Sequence, residues 1–465
     1  MNFIDALQSN DTLTENGMVT NSSSLNECVN LFFTIGAMRG QDKDRLISNF
    51  SKAFNENPLV ALKTLFWVRD VRGGAGERQI FRDILKYLAE NHPNVVKNNI
   101  QAIPYFGRWD DLSVLFGTTL EAQAVQMYVN GLIVKDGLCA KWIPRKGNIF
   151  NAIRKAMNIT PKDLRKLLVG YSNTVEQKMC SNEWMNIEYS KVPSLAMARY
   201  TKSFTKQDSG RFFEFITKLK NGESKINTGA LYPYNVIQTM KEGVWELANE
   251  QWKSLPNYME GVTERILPVV DVSGSMSSIV SGNISSLDVA VSLGLYISER
   301  NEGIFKDAFI TFSEKPKLEK VDGNLKDRYH QMLKSDWGMT TNLELVFKLI
   351  LNQATKHNLK PKDMPTKLLI MSDMEFNEAS THNLSTIDMI RLKYEESGYE
   401  LPKIIFWNIQ SRNKNFPVRY DDNNTALISG LSPTIIKSIL GDKEMTPISV
   451  MNDTINTHRY SVIEI

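Results

Sequence analysis

The fold is decided by Ile266-Leu267-Pro268-Val269-Val270-Asp271-Val272-Ser273-Gly274-Ser275. The apolar start of this stretch predicts a buried parallel strand. One carboxylate and two hydroxyl groups follow the strand, which would carry them to the C-terminal edge of a sheet. Oxygen ligands of this kind suit Mg²⁺ or Mn²⁺. The D-x-S-x-S pattern has low specificity by itself and gains weight from two later segments.

The first of these segments precedes a predicted helix, and the second is a predicted strand. Gly338-Met339-Thr340-Thr341-Asn342 precedes an amphipathic helix that starts at Leu343. Lys367-Leu368-Leu369-Ile370-Met371-Ser372-Asp373 is a second buried strand that ends in a carboxylate. Carboxyl ends of parallel strands meet at one edge of a sheet, which is where the ligands of such sheets bind.

D-x-S-x-S, then Thr, then a strand-terminal Asp resembles the metal-ion-dependent adhesion site of von Willebrand factor A (vWA) domains. The resemblance implies that the two serines and the threonine lie closest to the metal, and that the aspartates bind it directly or through water. Thr340 and Thr341 leave an ambiguity of one residue, and Thr341 is chosen because the family's Thr precedes a small polar residue. The alternative is a degenerate site that keeps the fold and binds no metal. The predicted metal ligands are Asp271, Ser273, Ser275, Thr341 and Asp373.

Length and composition predict a soluble globular protein with two or three domains. The chain has 465 residues, of which 42% are hydrophobic and 23% charged. It has no apolar run of about 18 residues, so we expect no membrane span, and Met1–Leu7 does not have the pattern of a signal peptide. Cys28, Cys139 and Cys180 are too few and too widely spaced for a zinc site or a disulfide framework. A reducing, cytoplasmic setting is expected.

The net charge of +3 conceals an asymmetry along the chain. Residues 141–220 carry 16 basic and 6 acidic side chains, whereas residues 261–465 carry 23 basic and 26 acidic ones. A local positive excess of this size favours a polyanionic partner, since phosphate contacts dominate nucleic-acid affinity. A solvated face of Lys and Arg is the alternative.

Residues 30–255 show repeated helical segments with short polar breaks and few strand signals, without a strict period. The glycine-rich turn in Val71-Arg72-Gly73-Gly74-Ala75-Gly76-Glu77-Arg78 lacks the G-K-[S/T] of a P-loop and follows a helix. We therefore interpret it as a sharp helix–helix turn and not as a nucleotide site.

V-R-G-G-A-G-E-R at 71–78 and I-P-Y-F-G-R-W-D-D-L at 103–112 resemble the Ro (TROVE-domain) ribonucleoprotein family. They resemble more closely a Ro-like family of uncharacterised proteins from phages, plants and fungi. Segments 140–146, 190–194 and 196–200 support the resemblance, which covers about residues 30–450. It implies a ring of HEAT-like helical pairs closed by a vWA domain. It also implies that single-stranded RNA ends enter the ring and that structured RNA binds its basic outer surface.

The basic segment, residues 141–220, contains a predicted helix that starts at Pro161. Its cationic side chains at i, i+3 and i+4 share one face, opposite a leucine face. Trp184, Tyr189, Tyr200 and Phe204 interleave downstream and could stack on bases, although rings at helical spacing are more often core residues. The predicted RNA-binding residues are Arg72, Arg108, Lys141, Arg145, Lys146, Lys162, Arg165, Lys166, Lys191, Arg199 and Lys202.

From residue 264 the pattern alternates between strands and helices, which predicts a doubly wound parallel sheet. Together with the helical repeats this gives an α + α/β fold. The predicted domains are a loosely attached polar lead-in at 1–25, a helical-repeat domain at 26–260, a vWA domain at 261–445, and a packing helix with a tail at 446–465. The predicted strands are 266–270, 308–312, 368–372, 404–408 and 425–428, and the predicted helices are 287–299, 343–356, 387–395 and 433–440.

The leading functional hypothesis is a monomeric RNA-binding protein with a Mg²⁺-binding module, whose metal would take an acidic residue from a protein partner. The alternative is a vWA-based assembly adaptor that works with a MoxR-type AAA+ ATPase or a viral complex. Catalysis is not expected, because the histidines form no spaced pair and Ser273 lacks a G-x-S-x-G context.

Overall fold

The computed structural model describes residues 11–312, 315–335, 341–377, 386–441 and 445–465. Contacts divide the chain into two compact units. The sheet unit comprises the residues up to Asp42 together with Leu231–Thr454, and the helical unit comprises Lys43–Ala230 with Ile455–Ile465. The units therefore interleave along the chain and do not follow the predicted boundary between 260 and 261.

Residues 11–25 are not a loosely attached lead-in, which corrects the prediction for this segment. Strands β1 (Asp11–Leu13) and β2 (Val19–Asn21) form an antiparallel hairpin. The Thr14 hydroxyl donates to the carbonyl of Phe376 at 2.5 Å, and the Asn21 amide donates to that of Phe416 at 3.1 Å. Polar side chains fasten this segment by satisfying backbone groups distant in sequence, a signal that hydrophobic periodicity does not carry. Residues 1–10 of the predicted lead-in lie outside the described residues.

The helical unit is built from short amphipathic helices. The first of them, Lys43–Glu56, buries Phe50 and Phe54, and the next begins with a proline behind an Asn57 cap. Aromatic side chains are prominent in the core between these helices, among them Phe50, Phe66 and Phe81. The helices from Glu27 onwards are α1 (Glu27–Ile35, in the sheet unit), α2 (Lys43–Glu56), α3 (Pro58–Arg69), α4 (Arg78–Asn91), α5 (Pro93–Asn98), α6 (Ala102–Phe106), α7 (Glu121–Ile133), α8 (Gly137–Trp142), α9 (Asn148–Ala156), α10 (Pro161–Tyr171), α11 (Val175–Cys180), α12 (Ser194–Gln207) and α13 (Ser209–Lys220).

The glycine-rich turn between α3 and α4 is a tight helix–helix connection, as the sequence indicated. The Ala75 amide donates to the carbonyl of Trp67 at 3.2 Å, and the Glu77 amide to that of Val68 at 2.7 Å. A Cβ atom on Gly74 would lie 1.8 Å from the carbonyl oxygen of Trp67. Close backbone approach, and not phosphate binding, explains this glycine.

Gly74→Ala is expected to lower the free energy of unfolding by about 3 kcal/mol, since the backbone of the turn must move to admit the methyl group. Chemical denaturation followed by far-UV circular dichroism measures the change. Gly170→Ala in α10 is the matched control, because a Cβ there meets nothing within 4 Å. Equal stability of the two variants would contradict the close-approach argument.

The sheet unit has a mixed, largely parallel sheet with order β10-β9-β8-β3-β6-β7 among the described residues. β7 is an antiparallel edge strand. The five predicted strands are confirmed, and every residue of the two central ones is buried. The elements are α14 (Pro233–Lys241), α15 (Trp245–Lys253), β3 (Ile266–Asp271), β4 (Ile279–Ser281), β5 (Ile284–Ser285), α16 (Ser286–Arg300), β6 (Ala308–Phe312), β7 (Leu318–Lys320), α17 (Leu325–Lys334), α18 (Leu343–His357), β8 (Lys367–Ser372), α19 (Thr386–Glu396), β9 (Lys403–Asn408), β10 (Thr425–Ser429), α20 (Ile436–Ile439) and α21 (Pro447–Ile455).

The β4–β5 hairpin, β7 and α17 were not predicted from the sequence. β7 has three residues, two of them charged, so it offers no apolar run. The segment predicted as a helix at 433–440 is a 3₁₀ turn, Pro433–Ile435, followed by the single turn of α20. α21 lies where the final packing helix was predicted.

Helices α14 and α15 belong to the sheet unit because they pack on α16. The Lys241 ammonium lies 2.7 Å from a carboxylate oxygen of Asp288, which is 3% exposed. The Trp252 indole donates to Glu299 at 2.7 Å. In the described chain, no helix has the length and apolar character needed to cross a membrane. The three cysteines are free.

Candidate functional site

The two predicted aspartates lie at the same edge of the sheet. Asp271 is the last residue of β3, Asp373 directly follows β8, and the two strands pair in parallel. One Asp271 oxygen accepts from the Ser273 amide at 2.9 Å, and the other accepts from the Ser372 hydroxyl at 2.6 Å. The pairing of β3 with β8 therefore brings the two carboxylates to one edge of the sheet.

The two predicted serines lie beside these carboxylates. Ser273 precedes a 3₁₀ turn, Gly274–Ser277, which brings its hydroxyl oxygen to 2.9 Å from that of Ser275. The Ser275 hydroxyl also forms a hydrogen bond with Asp373. Two hydroxyls and two carboxylates thus form one cluster of oxygen atoms.

Thr341 is placed differently. Its buried hydroxyl donates to the carbonyl of Glu375 at 2.8 Å and lies 3.1 Å from the Asn377 side-chain oxygen. The Thr341 amide donates to the same Asn377 oxygen. These bonds fasten the N-terminus of α18 to the segment that follows Asp373. Thr340, the alternative ligand, lies outside the described residues.

Burial makes the carboxylate pair electrostatically costly. Desolvation, followed by the charge of Asp373, raises the pKa of Asp271 to about 6. Desolvation also raises the pKa of Asp373, against the hydrogen bond from Ser275 and the charge of Arg412. The Arg412 guanidinium lies 3.1 Å from Oδ2 of Asp373. That contact is not aligned as a hydrogen bond, and this buried oxygen has no hydrogen-bond partner in the described chain.

The donor set fits a small hard cation. The oxygens are carboxylates and hydroxyls, and a divalent ion would relieve the repulsion between the two aspartates and engage the Asp373 oxygen that accepts no hydrogen bond. Within the described residues, no group of three or more His, Cys, Asp or Glu side chains forms a metal cluster. Two carboxylates and two hydroxyls leave coordination positions for water, several of which Mg²⁺ usually keeps. Sequence reasoning missed Ser372, the last residue of β8, and Arg412, which lies in the loop after β9.

Most of the predicted RNA-binding side chains are exposed on the helical unit. In α10 the cationic residues are exposed and Leu164 and Leu168 are buried, as the pattern predicted. Leu167, which the pattern also placed on the buried face, is half-buried. Arg165 also lies over the Phe150 ring at 5.2 Å and donates to the Arg145 carbonyl. The exposed predicted residues are Arg72, Lys146, Lys162, Arg165, Lys166, Lys191, Arg199 and Lys202.

The other predicted cations are half-buried and already engaged. The Arg108 guanidinium stacks 3.8 Å from the centre of the Trp142 ring and pairs with Asp110, and burial lowers its pKa. Lys141 pairs with Glu176 at 3.1 Å. Arg145 donates to two backbone carbonyls. Lys191, though exposed, pairs with Glu188 at 2.6 Å. These contacts give the four residues structural roles that spacing does not reveal.

A buried ion-pair network in the helical unit was also not predicted. Asp111 is fully buried and accepts from Arg69, which is 1% exposed, at 2.7 Å. It also accepts from Arg82 at 2.7 Å and from the Arg108 amide at 2.9 Å. The structure places Asp111 in the 3₁₀ helix Trp109–Leu115, as the anion of a buried ion-pair network.

The downstream rings divide between core and surface. Tyr189 and Phe204 are buried, with ring centres 5.2 Å apart, as expected for core residues. Trp184 and Tyr200 are half-buried. Tyr200 approaches Glu176, the partner of Lys141, at 3.4 Å.

Comparison with known proteins gives two family matches. The family described as "Domain of unknown function (DUF2828)" matches residues 14–136 and 145–265, and "Domain of unknown function (DUF7788)" matches residues 265–460. "Uncharacterized protein L728" of Acanthamoeba polyphaga mimivirus is 29% identical over 95% of this chain and 86% of its own length.

A solved structure shares the fold. The Ro (RSR) protein of Deinococcus radiodurans superposes with a TM-score of 0.51 at 13% identity, over 92% of this chain and 99% of that one. At this identity the likeness concerns the fold alone, which is Ro-like and combines a helical N-terminal part with a mixed parallel sheet. Because its model matches just over half of the residues, the chain belongs to the DUF2828 family.

Proposed function

We propose that this protein binds RNA through its helical unit, in the manner implied by its resemblance to Ro proteins. The observation that carries the proposal is the exposed cationic face of α10, formed by Lys162, Arg165 and Lys166. No ion pair neutralises these three residues within the described part of the chain. A cluster of cations whose charge no internal carboxylate neutralises is what a polyanion requires.

The surroundings of the α10 cationic face extend the positive surface. Lys146 is exposed on the loop before α9, and Arg165 itself reaches the carbonyl of Arg145 in that loop. Contacts of this type bind phosphates without reading base sequence. They suit both the single-stranded ends and the structured small RNAs that the resemblance implies.

Replacing Lys162, Arg165 and Lys166 together by Ala is expected to weaken RNA binding at physiological salt by at least about tenfold. The slope of log affinity against log salt should fall by about 2, since each lost phosphate contact removes about 0.7–0.9. Fluorescence anisotropy with a hairpin RNA that carries a single-stranded 3′ tail measures both quantities. The leucine face is untouched, so folding should be retained.

The matched control removes three exposed lysines from the sheet unit, Lys356, Lys360 and Lys362. It changes the net charge equally and should leave the salt slope unchanged. An identical loss in the two triple variants would show non-specific attraction, and an unchanged slope in the α10 variant would exclude this face.

We further propose that the sheet unit binds Mg²⁺ or Mn²⁺ at the edge formed by β3 and β8. Asp271, Ser273, Ser275 and Asp373 would hold the ion, and Thr341 would support the site through Glu375. The bound ion would offer a coordination position to an acidic residue of a protein partner. Two buried carboxylates at one edge of the sheet, and an Asp373 oxygen that accepts no hydrogen bond, support this proposal.

The metal site also supports the alternative function, a protein-assembly adaptor. In that case partner binding would depend on Asp271 and be indifferent to RNA, and the α10 cationic face would be a solvated surface. Neither function requires catalysis, and we expect no metal-dependent RNA cleavage. Cleavage that is lost in Asp373→Ala would overturn that expectation.

A further inference from the structure

The loop that follows β9 is held firmly over the carboxylate edge of the sheet. The Ile409 amide donates to the Ser372 carbonyl at 3.0 Å, and the Ser411 amide to that of Ala37 at 3.0 Å. Further along, the Asn415 side chain donates to Glu375 at 2.9 Å, and the Phe416 amide donates to Asn21 at 2.9 Å. With both ends tied to the fold, the loop fixes the position of the residue in its middle, Arg412.

Arg412 reaches into the proposed metal site. Its guanidinium lies 3.1 Å from the Asp373 carboxylate and donates to the backbone carbonyl of Ser275. Both contacts are with residues that would hold the ion, and the arginine side chain is 28% exposed. One positive charge is thus already placed on the buried carboxylate pair.

We propose that Arg412 is a built-in competitor of the metal, which neutralises Asp373 in the metal-free protein and withdraws from it when the ion binds. The inference rests on the proposed metal site. Two cations on one carboxylate oxygen repel each other, and a guanidinium that forms an ion pair with Asp373 offsets the negative charge that a divalent ion needs. The arginine therefore lowers the affinity of the site for divalent cations and keeps the metal-free edge of the sheet folded.

The test compares Mg²⁺ binding by the full chain with that of Arg412→Gln, by isothermal titration calorimetry, with Mn²⁺ titrated by electron paramagnetic resonance. Arg412→Gln should bind both ions at least about tenfold more tightly, the effect of removing one charge-assisted contact worth about 1.4 kcal/mol. Arg412→Lys, which keeps the charge, should remain within about threefold of the wild type. The metal-free Arg412→Gln protein should unfold at a lower temperature than the wild type.

Lys414→Gln is the matched control, since Lys414 lies two residues away in the same loop and is exposed. It loses the same charge and should leave the affinity unchanged. Equal affinities of wild type and Arg412→Gln, or equal gains in the two glutamine variants, would overturn the competition while leaving the metal site standing. Binding by Arg412→Gln where the wild type shows none would support it strongly. Binding by no variant would overturn the metal site and the competition together.

Discussion

Asp111→Ala is expected to lower the free energy of unfolding of the helical unit by about 3–5 kcal/mol, the usual cost of leaving a buried charge without its partner. Arg69 is 1% exposed, and its guanidinium meets Asp111 through two nitrogens, each at 2.7 Å. Removing the carboxylate leaves the Arg69 guanidinium buried without its anionic partner. It also deprives Arg82 of an acceptor. A loss of this size is a large fraction of the total free energy of unfolding of a domain. Urea denaturation followed by tryptophan fluorescence measures the loss.

The control for Asp111 is Asp83→Ala, which breaks the pair with half-exposed Lys43 at 3.5 Å. That change should cost less than about 1 kcal/mol, because exposed ion pairs contribute little. Replacing both buried partners, Arg69→Met with Asp111→Leu, should recover much of the stability, since no buried charge is then left alone. Comparable losses for Asp83→Ala and Asp111→Ala would contradict the burial argument.

Asp271→Asn is expected to weaken Mg²⁺ binding by more than about 100-fold, since a carboxylate is the ligand with the charge that Mg²⁺ requires. Asp373→Asn should have a similar effect. Calorimetric titration of the full chain with MgCl₂ measures both. Glu396→Gln, an exposed carboxylate-to-amide change at the end of α19, should bind as the wild type does. If Asp271→Asn binds Mg²⁺ as tightly as the wild type, the ion does not bind at this edge of the sheet.

Asp271→Asn should also change how the stability of the metal-free protein, measured in EDTA, depends on pH. The pKa of Asp271 is raised from 3.8 to about 6 by burial and by Asp373, so the folded protein holds this proton more tightly than the unfolded chain. The wild type should therefore gain stability as the pH falls from 7.5 through about 6, and lose it again on titration upwards. Asp271→Asn should lack this gain. Thermal unfolding at a series of pH values, without metal, compares the two proteins.

The sequence by itself determined the elements that depend on local pattern. The apolar runs at Ile266–Asp271 and Lys367–Ser372 are strands because a buried parallel strand needs a continuous apolar segment. The sequence thereby placed Asp271 and Asp373 at the carboxyl edge of a parallel sheet, whereas the pairing of β3 with β8, which brings the two together, came from the tertiary structure. The exposed cations of α10 followed in the same way from the spacing of its leucines.

Only the tertiary structure decided which polar groups meet across long stretches of chain. It turned Thr341 towards Glu375, brought Arg412 onto Asp373, and buried Arg69 against Asp111. It also fastened the polar segment after residue 11 to the sheet unit by hydrogen bonds to residues more than 350 positions away. The physical reason is that hydrophobic periodicity records which face of an element is buried. The partner of a buried charge depends on how separate elements pack, and no local pattern in the sequence encodes that packing.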